Sequence, residues 1–306
     1  MQDEGPRREK VLFQPGRHEE QAAEQDQREW DEEHAERTHP LGATRSCVAA
    51  KRTLELMPGL FPDDAVIRRV SSEAILLLGG GRALLMQLAH PQVAAGVADH
   101  SGFERDPFGR LRRTLEATYT IVFGTEEEAD LVARQLWAVH EHVTGPGYHA
   151  NDPELLMWVH ATLVDTALRV HARFLRPLNS PDAERYYEES LVVGDVLGVP
   201  RDVQPPDLAA FRQYTREMVG SLQVSDTARQ LADAVLHPKL PFVAEPGLAL
   251  ARELTAGLLP RPLRQQFGLG WDRNREAALL LAGAASRTVL SRVPSVIRRA
   301  PVTILA

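Results

Sequence analysis

The sequence predicts an all-α fold, with one multi-helix domain over residues 61–306 behind a polar N-terminal segment, residues 1–60, that is disordered or poorly ordered. Three observations predict it. From about residue 60 onward apolar residues recur at helical spacing. Strand-type alternation of apolar and polar residues is nearly absent. Helix start and stop signals punctuate the chain at Asp106-Pro107, Gly124-Thr125 and Asp152-Pro153.

The elements follow in order. Residues 1–40 are rich in Glu, Gln, Arg and Asp and hold too little apolar surface to offset the entropy of ordering. Ser71 to Ala89 reads as one or two helices broken at Gly79-Gly80-Gly81. Asp106 at an N-cap and Pro107 at the first helical position open a helix that runs to Phe123 and stops at Gly124. Thr125 caps the next helix, and Glu126, Glu127 and Glu128 complement its dipole. That helix ends near Thr144-Gly145-Pro146-Gly147. Asn151-Asp152-Pro153-Glu154 begins a long apolar helix that reaches about Leu175, with Leu156, Val164, Leu168 and Leu175 at helical spacing. Further helices are expected at Pro181 to Leu197, Asp207 to Leu222, Asp226 to Leu236, Leu248 to Leu258 and Asn274 to Arg292.

Composition narrows the function. Apolar residues make up 43% and charged residues 25% of 306, as in an ordinary globular protein. A net charge of -7 argues against nucleic acid as a partner, because phosphate binding needs a basic face. One cysteine, Cys47, permits neither an intrachain disulfide nor a thiolate zinc site, and suits a reducing compartment. Met1 to Glu20 is polar, unlike a secretory signal, so a cytoplasmic location is expected. The most apolar stretch, Ala74 to Ala89, is interrupted by three glycines and Arg82 and is too short to span a bilayer, so no stable membrane insertion is expected.

The common catalytic signatures are missing. There is no GxGxxG after a strand, no GxxxxGK[ST], no HExxH, no paired ExxH and no GxSxG. What stands out is histidine: His90, His100, His140, His142, His149, His160 and His171 all lie between residues 90 and 171. For any one of them a hydrogen-bonded core or surface role is the commoner one. At about 100° per residue, Val132, Leu136, Val139 and Val143 form an apolar stripe. His140 lies on one flank with Ala129, Ala133 and Leu136, and His142 lies on the other, so periodicity leaves both open. Arg110 and Thr114 share a helix face, and a guanidinium there suits a carboxylate. His160 sits mid-helix among Leu156, Val164 and Ala167, either as a core histidine or as support for a cofactor. Gly79-Gly80-Gly81 serves either close helix packing or close approach of a flat ligand.

Several blocks in order carry a resemblance. They are Gly80-Gly81-Arg82-Ala83-Leu84-Leu85-Met86-Gln87-Leu88-Ala89-His90-Pro91, Val97-Ala98-Asp99-His100-Ser101-Gly102-Phe103, Arg110-Leu111-Arg112-Arg113-Thr114, Val139-His140-Glu141-His142-Val143-Thr144-Gly145 and Leu155-Leu156-Met157-Trp158-Val159-His160-Ala161. Over residues 65–300 the chain resembles the oxygenase MpaB / rubber oxygenase (latex-clearing protein) catalytic domain family. The resemblance implies helices enclosing a haem b. It implies His140 as the iron ligand, with Arg110 binding the cofactor and Arg110 and Thr114 in the catalytic pocket; His160, from its mid-helix place, is taken as a further cofactor-binding residue, and Arg113, beside Thr114, as a further catalytic-pocket residue. Arg113 stands where rubber oxygenases carry a distal lysine, and an always-protonated guanidinium is a very poor iron ligand. Asp99 and Glu104 lie near the expected place of a catalytic carboxylate without matching a motif. The function so implied is a haem b-dependent oxygenase. It would take O2, a small hydrophobic substrate and an electron donor, and cleave C=C or oxidise C–H bonds. The alternatives are a haem-dependent oxidase or dehydrogenase without oxygen insertion, a non-catalytic haem sensor, and a helical protein without cofactor. The oligomeric state stays open.

Overall fold

The computed structural model describes residues 59–100, 107–238 and 245–299, excepting the side chains of residues 107–111 and 296. The expectations for residues 1–58, including Cys47, and for Asp106, Glu104 and the Arg110 side chain lie outside the described residues. The described residues belong to one compact unit, Leu56–Ala306. It is all-α: the helices are α1 (Val66–Ser71), α2 (Gly80–Leu88), α3 (Pro91–His100), α4 (Pro107–Phe123), α5 (Glu126–Glu141), α6 (Pro153–Val170), α7 (Ser180–Val196), α8 (Leu208–Ser221), α9 (Asp226–Leu236), α10 (Glu245–Leu258), α11 (Arg261–Gln266), α12 (Arg273–Leu290) and α13 (Ser295–Arg298). A 3-10 turn, Ala74–Gly79, precedes α2, and a π segment, His171–Leu175, continues α6.

Local chemistry explains most of the boundaries. Thr125 and Glu128 form a reciprocal capping box at the start of α5, each side chain satisfying the other's backbone N–H. Asp152 caps α6 by accepting from the Glu154 N–H at 2.9 Å. Asn179, Asp207, Ser225 and Asp272 cap α7, α8, α9 and α12 in the same way. After α5 the chain forms a two-strand hairpin, β1 (Thr144–Gly145) and β2 (Tyr148–His149), where the sequence suggested only a helix end. Its loop is Pro146-Gly147, and Gly147 takes φ +83°, the conformation a proline-glycine turn requires.

Helix α6 is the central element. It packs against the 3-10 turn, α2, α7 and α8; Leu155, Trp158, Thr162 and Thr166 form a buried column on one face, and His160 is buried on the other. Helix α7 in turn carries α1, α4 and α5. One core joins Ile121, Met157, Val164, Tyr187 and Phe211 from α4, α6, α7 and α8. A second gathers Leu85, Met86, Trp158 and Leu231. The glycine break closes by packing: a Cβ on Gly79 would lie 2.5 Å from Thr166 Cγ2 and 2.8 Å from Val170 Cγ2, so the 3-10 turn rests directly on α6. Among the described residues no helix is long and apolar enough to cross a membrane.

Candidate functional site

The predicted site residues fall on three consecutive long helices. Arg110, Arg113 and Thr114 lie on α4, His140 near the end of α5, and His160 in the middle of α6. Helices α4 and α5 pack on each other and, with α6, on α7. Arg113 is exposed and Thr114 is half-buried, its carbonyl accepting from Thr118 Oγ1 at 2.8 Å. Lower on α4, Tyr119 stacks on Phe123 at 5.5 Å, and Arg68 lies over the Phe123 ring.

His140, in the last turn of α5, and His142, at its C-cap, are separated by packing, which the helical period alone could not do. Ala129 is the buried residue of α5, and His140 shares its flank and is half-buried. His142 is exposed, and its Nδ1 sits 2.8 Å from the Ala138 carbonyl. The expected apolar stripe is not an inner face throughout. Val139 is 62% exposed, because α5 rests on the unit through Ala129 and its half-buried neighbours Val132, Ala133 and Leu136.

Directly after His140 the hairpin is clamped to α3. The Tyr148 hydroxyl donates to Asp99 Oδ2 at 2.6 Å, and His100 Nε2 lies 2.8 Å from the Thr144 carbonyl. The Tyr148 ring packs on Gly145, where a Cβ would come within 2.5 Å of it, and meets His100 edge-on at 6.3 Å. The hydrogen bond to Asp99 pushes the Tyr148 phenol up to about 12. Asp99 is thereby engaged as an acceptor, and nothing in the sequence pairs it with a tyrosine 49 residues away.

His160 is the buried histidine of the chain's centre, 4% exposed. Burial pushes its imidazole down to about 4, against a smaller opposing effect of a hydrogen bond to the Ser190 backbone on α7. It is therefore neutral at pH 7, and its Nε2 is buried with no partner. A buried polar atom without a partner calls for an explanation. On the opposite face of α6 the buried polar atoms are satisfied: Trp158 Nε1 donates to the Met86 carbonyl at 3.0 Å, and Gln87 donates to Thr162 Oγ1 at 3.2 Å. Arg82, fully buried, donates to Asp165, Thr166 and the Leu258 carbonyl. A lone arginine inside an apolar run was the sequence signal for this network, since buried charges must be paired.

Among the described residues no three His, Cys, Asp or Glu side chains converge on a metal position.

A family model described as "ER-bound oxygenase mpaB/B'/Rubber oxygenase, catalytic domain" matches residues 67–288, from α1 to α12. The chain belongs to this family. It is accordingly an oxygenase-family enzyme domain. Two mycobacterial relatives are each 28% identical over 206 residues, covering 63% of this chain and 80% of the relative: the uncharacterised protein Mb2261 of Mycobacterium bovis and the uncharacterised protein Rv2237 of Mycobacterium tuberculosis. No solved structure matches.

Proposed function

We propose that this protein is a haem b-dependent oxygenase that uses O2 to oxidise a small hydrophobic substrate, at a C=C or C–H bond. The observation that carries this reading is the family's catalytic domain, which spans the helices bearing every proposed site residue. The residues present fit the group. Among the described residues no three metal-ligating side chains cluster, and His160 keeps an uncharged imidazole with an unused buried nitrogen.

His140 is proposed as the residue that would hold the haem iron, on the resemblance and on its half-buried flank of α5. Arg110 is proposed to pair a propionate carboxylate, the oxyanion a guanidinium fork suits. Thr114 offers a hydroxyl that donates or accepts a hydrogen bond in the pocket. Arg113 offers guanidinium donors and no iron ligand. His160 holds its tautomer through Ser190 and presents Nε2 as an acceptor to a substrate or water proton. When bound, haem b supplies the oxygen activation, while the chain sets ligand, polarity and access.

The test is the visible spectrum of the full chain after haem reconstitution, for wild type, His140→Ala and His142→Ala, followed by turnover under labelled O2. A Soret band displaced in His140→Ala and unchanged in His142→Ala is expected, with label in the product. A band indifferent to His140 would move the ligand, and no band with added haem would defeat the reading. Turnover without label in the product would mark an oxidase or dehydrogenase instead.

A further inference from the structure

Away from these residues, four arginines converge. A cleft of about 360 Å³ opens where α6, the π segment, α8 and α12 meet, and its lining includes Arg169, Arg173, Arg212 and Arg287. The one carboxylate on its wall is Asp165, and that charge is taken up from the core side by buried Arg82 at 2.5 Å. Among the described residues no carboxylate pairs with any of the four. Elsewhere arginines of the same chain find acids readily: Arg69 pairs with Asp182, Arg201 with Asp195 and Arg229 with Asp226. In a chain of net charge -7, four neighbouring guanidiniums with no acid partner among the described residues concentrate positive potential at one place. An anion would relieve their mutual repulsion.

The cleft is also built rather than incidental. The stem of Arg173 lies against Gly283 of α12, where a Cβ would sit 3.0 Å from Arg173 Cδ and 2.8 Å from its carbonyl oxygen. Arg287 donates to that carbonyl at 2.6 Å, and Ser286 donates to the next, Phe174, at 3.0 Å. Helix α12 thus locks onto the π segment and holds two of the arginines in place. π turns are rare and recur at functional sites. The cleft's volume falls in the range of small-molecule sites, about 300–1,000 Å³. Leu168 and Ala172 add a small apolar patch to the lining.

We propose that this cleft binds a small polyanion, a molecule carrying two or more phosphate or carboxylate groups, held by forked hydrogen bonds from Arg169, Arg173, Arg212 and Arg287. Guanidinium forks match the oxygens of both groups. The site uses no residue assigned to the haem and stands apart from that reading.

The experiment is calorimetric titration of the full chain with pyrophosphate and with citrate, at low salt and at about 0.3 M NaCl, where charge interactions are screened. Wild type is expected to bind one equivalent of at least one probe, more weakly at high salt. Arg212→Gln, an exposed substitution on α8, and the double variant Arg173→Gln/Arg212→Gln are expected to lose affinity, the double by at least about tenfold, or 1.4 kcal/mol. Arg216→Gln removes the same charge one turn along α8, outside the cleft lining, and is expected to bind within about twofold of wild type, as a screened surface charge should. Circular dichroism of each variant confirms the fold. Phosphate-bearing and carboxylate-bearing ligands are told apart by which probe binds tighter. Absence of saturable binding of either probe would overturn the proposal. So would equal weakening by Arg216→Gln, or displacement of the probe by haem, which would make the cleft part of the cofactor site.

Discussion

The guanidinium of Arg82, with no solvent exposure, meets the carboxylate of Asp165 at 2.5 Å across 83 residues of sequence. Burial pulls the arginine's pKa down and Asp165 opposes that pull. The same guanidinium donates to Thr166 and, at 2.9 Å, to the Leu258 carbonyl, so α2, α6 and α10 are tied through one side chain. Removing one partner of a buried pair costs about 3–5 kcal/mol, because the remaining charge is uncompensated. Asp165→Asn is therefore expected to lower unfolding free energy by that order in urea melts, with the loss trimmed by Asp165's partial exposure. A loss under about 1 kcal/mol, the size of an exposed pair, would show that solvent already carries the arginine's charge.

A second prediction concerns His160 in the haem-free protein. Its folded pKa is pushed down to about 4, against about 6.5 when unfolded. The unfolded chain therefore binds a proton that the folded chain refuses. The resulting stability is fully present above pH ~6.5 and is lost as pH falls toward ~4. The group alone accounts for roughly 3 kcal/mol over that window, taking 1.36 kcal/mol per unit. His160→Gln cannot titrate there, so its stability is expected to fall less steeply between the same two pH values. His90 and His171 are also pushed down by burial and keep their own slopes in both proteins. Identical pH slopes for wild type and variant would remove His160 from the account.

Much of the fold was legible because its signals are local. The Thr125–Glu128 box, the Asp152-Pro153 start and the Gly124 stop each act within four residues, and the helices begin where those residues stand. What depends on distant partners was not legible. Periodicity placed His140 and His142 on opposite flanks of α5, yet only the burial of Ala129 against the body says which flank faces in. The apolar stripe through Val139 is not an inner face for the same reason: a peripheral helix can leave an apolar residue in solvent. The Tyr148–Asp99 bond, the π step after Val170 and the convergence of Arg212 and Arg287 on α6 all arise from packing between segments far apart in sequence.

The third prediction tests the contact of the 3-10 turn with α6. A Cβ on Gly79 would fall 2.5 Å from Thr166 Cγ2, a side chain already held by Arg82, and 2.8 Å from Val170 Cγ2. Neither methyl has room to retreat, since Thr166 and Val170 are both buried. Gly79→Ala is expected to destabilise by about 1–3 kcal/mol, the usual range for overpacking, despite alanine's better helix propensity. Thr166→Ser in the same chain removes the obstructing Cγ2 and is expected to recover part of the loss. If Gly79→Ala is neutral or stabilising in thermal melts, the turn does not rest on α6 as closely as described.

The fourth prediction uses all five tyrosines. Burial raises Tyr119, Tyr186, Tyr187 and Tyr214, the last to about 12, while Tyr148 is raised to about 12 first by its hydrogen bond to Asp99. An unfolded tyrosine ionises near pH ~10. At pH ~11 the folded protein should therefore show far less tyrosinate absorbance than the protein in urea, and the missing signal should appear on unfolding. The sign of the linkage follows: with folded values above unfolded ones, this stability is complete below pH ~10 and is lost as pH rises through ~12. Tyr148→Phe separates the hairpin from the core in this measurement. It removes the one phenol held up chiefly by a carboxylate, leaves the four held up by burial, and frees Asp99. Its difference spectrum against wild type should show a single tyrosine titrating near pH ~12. A difference that instead titrates near pH ~10 would mean that the Tyr148 hydroxyl does not donate to Asp99 in solution, leaving the His100–Thr144 contact to hold the hairpin to α3.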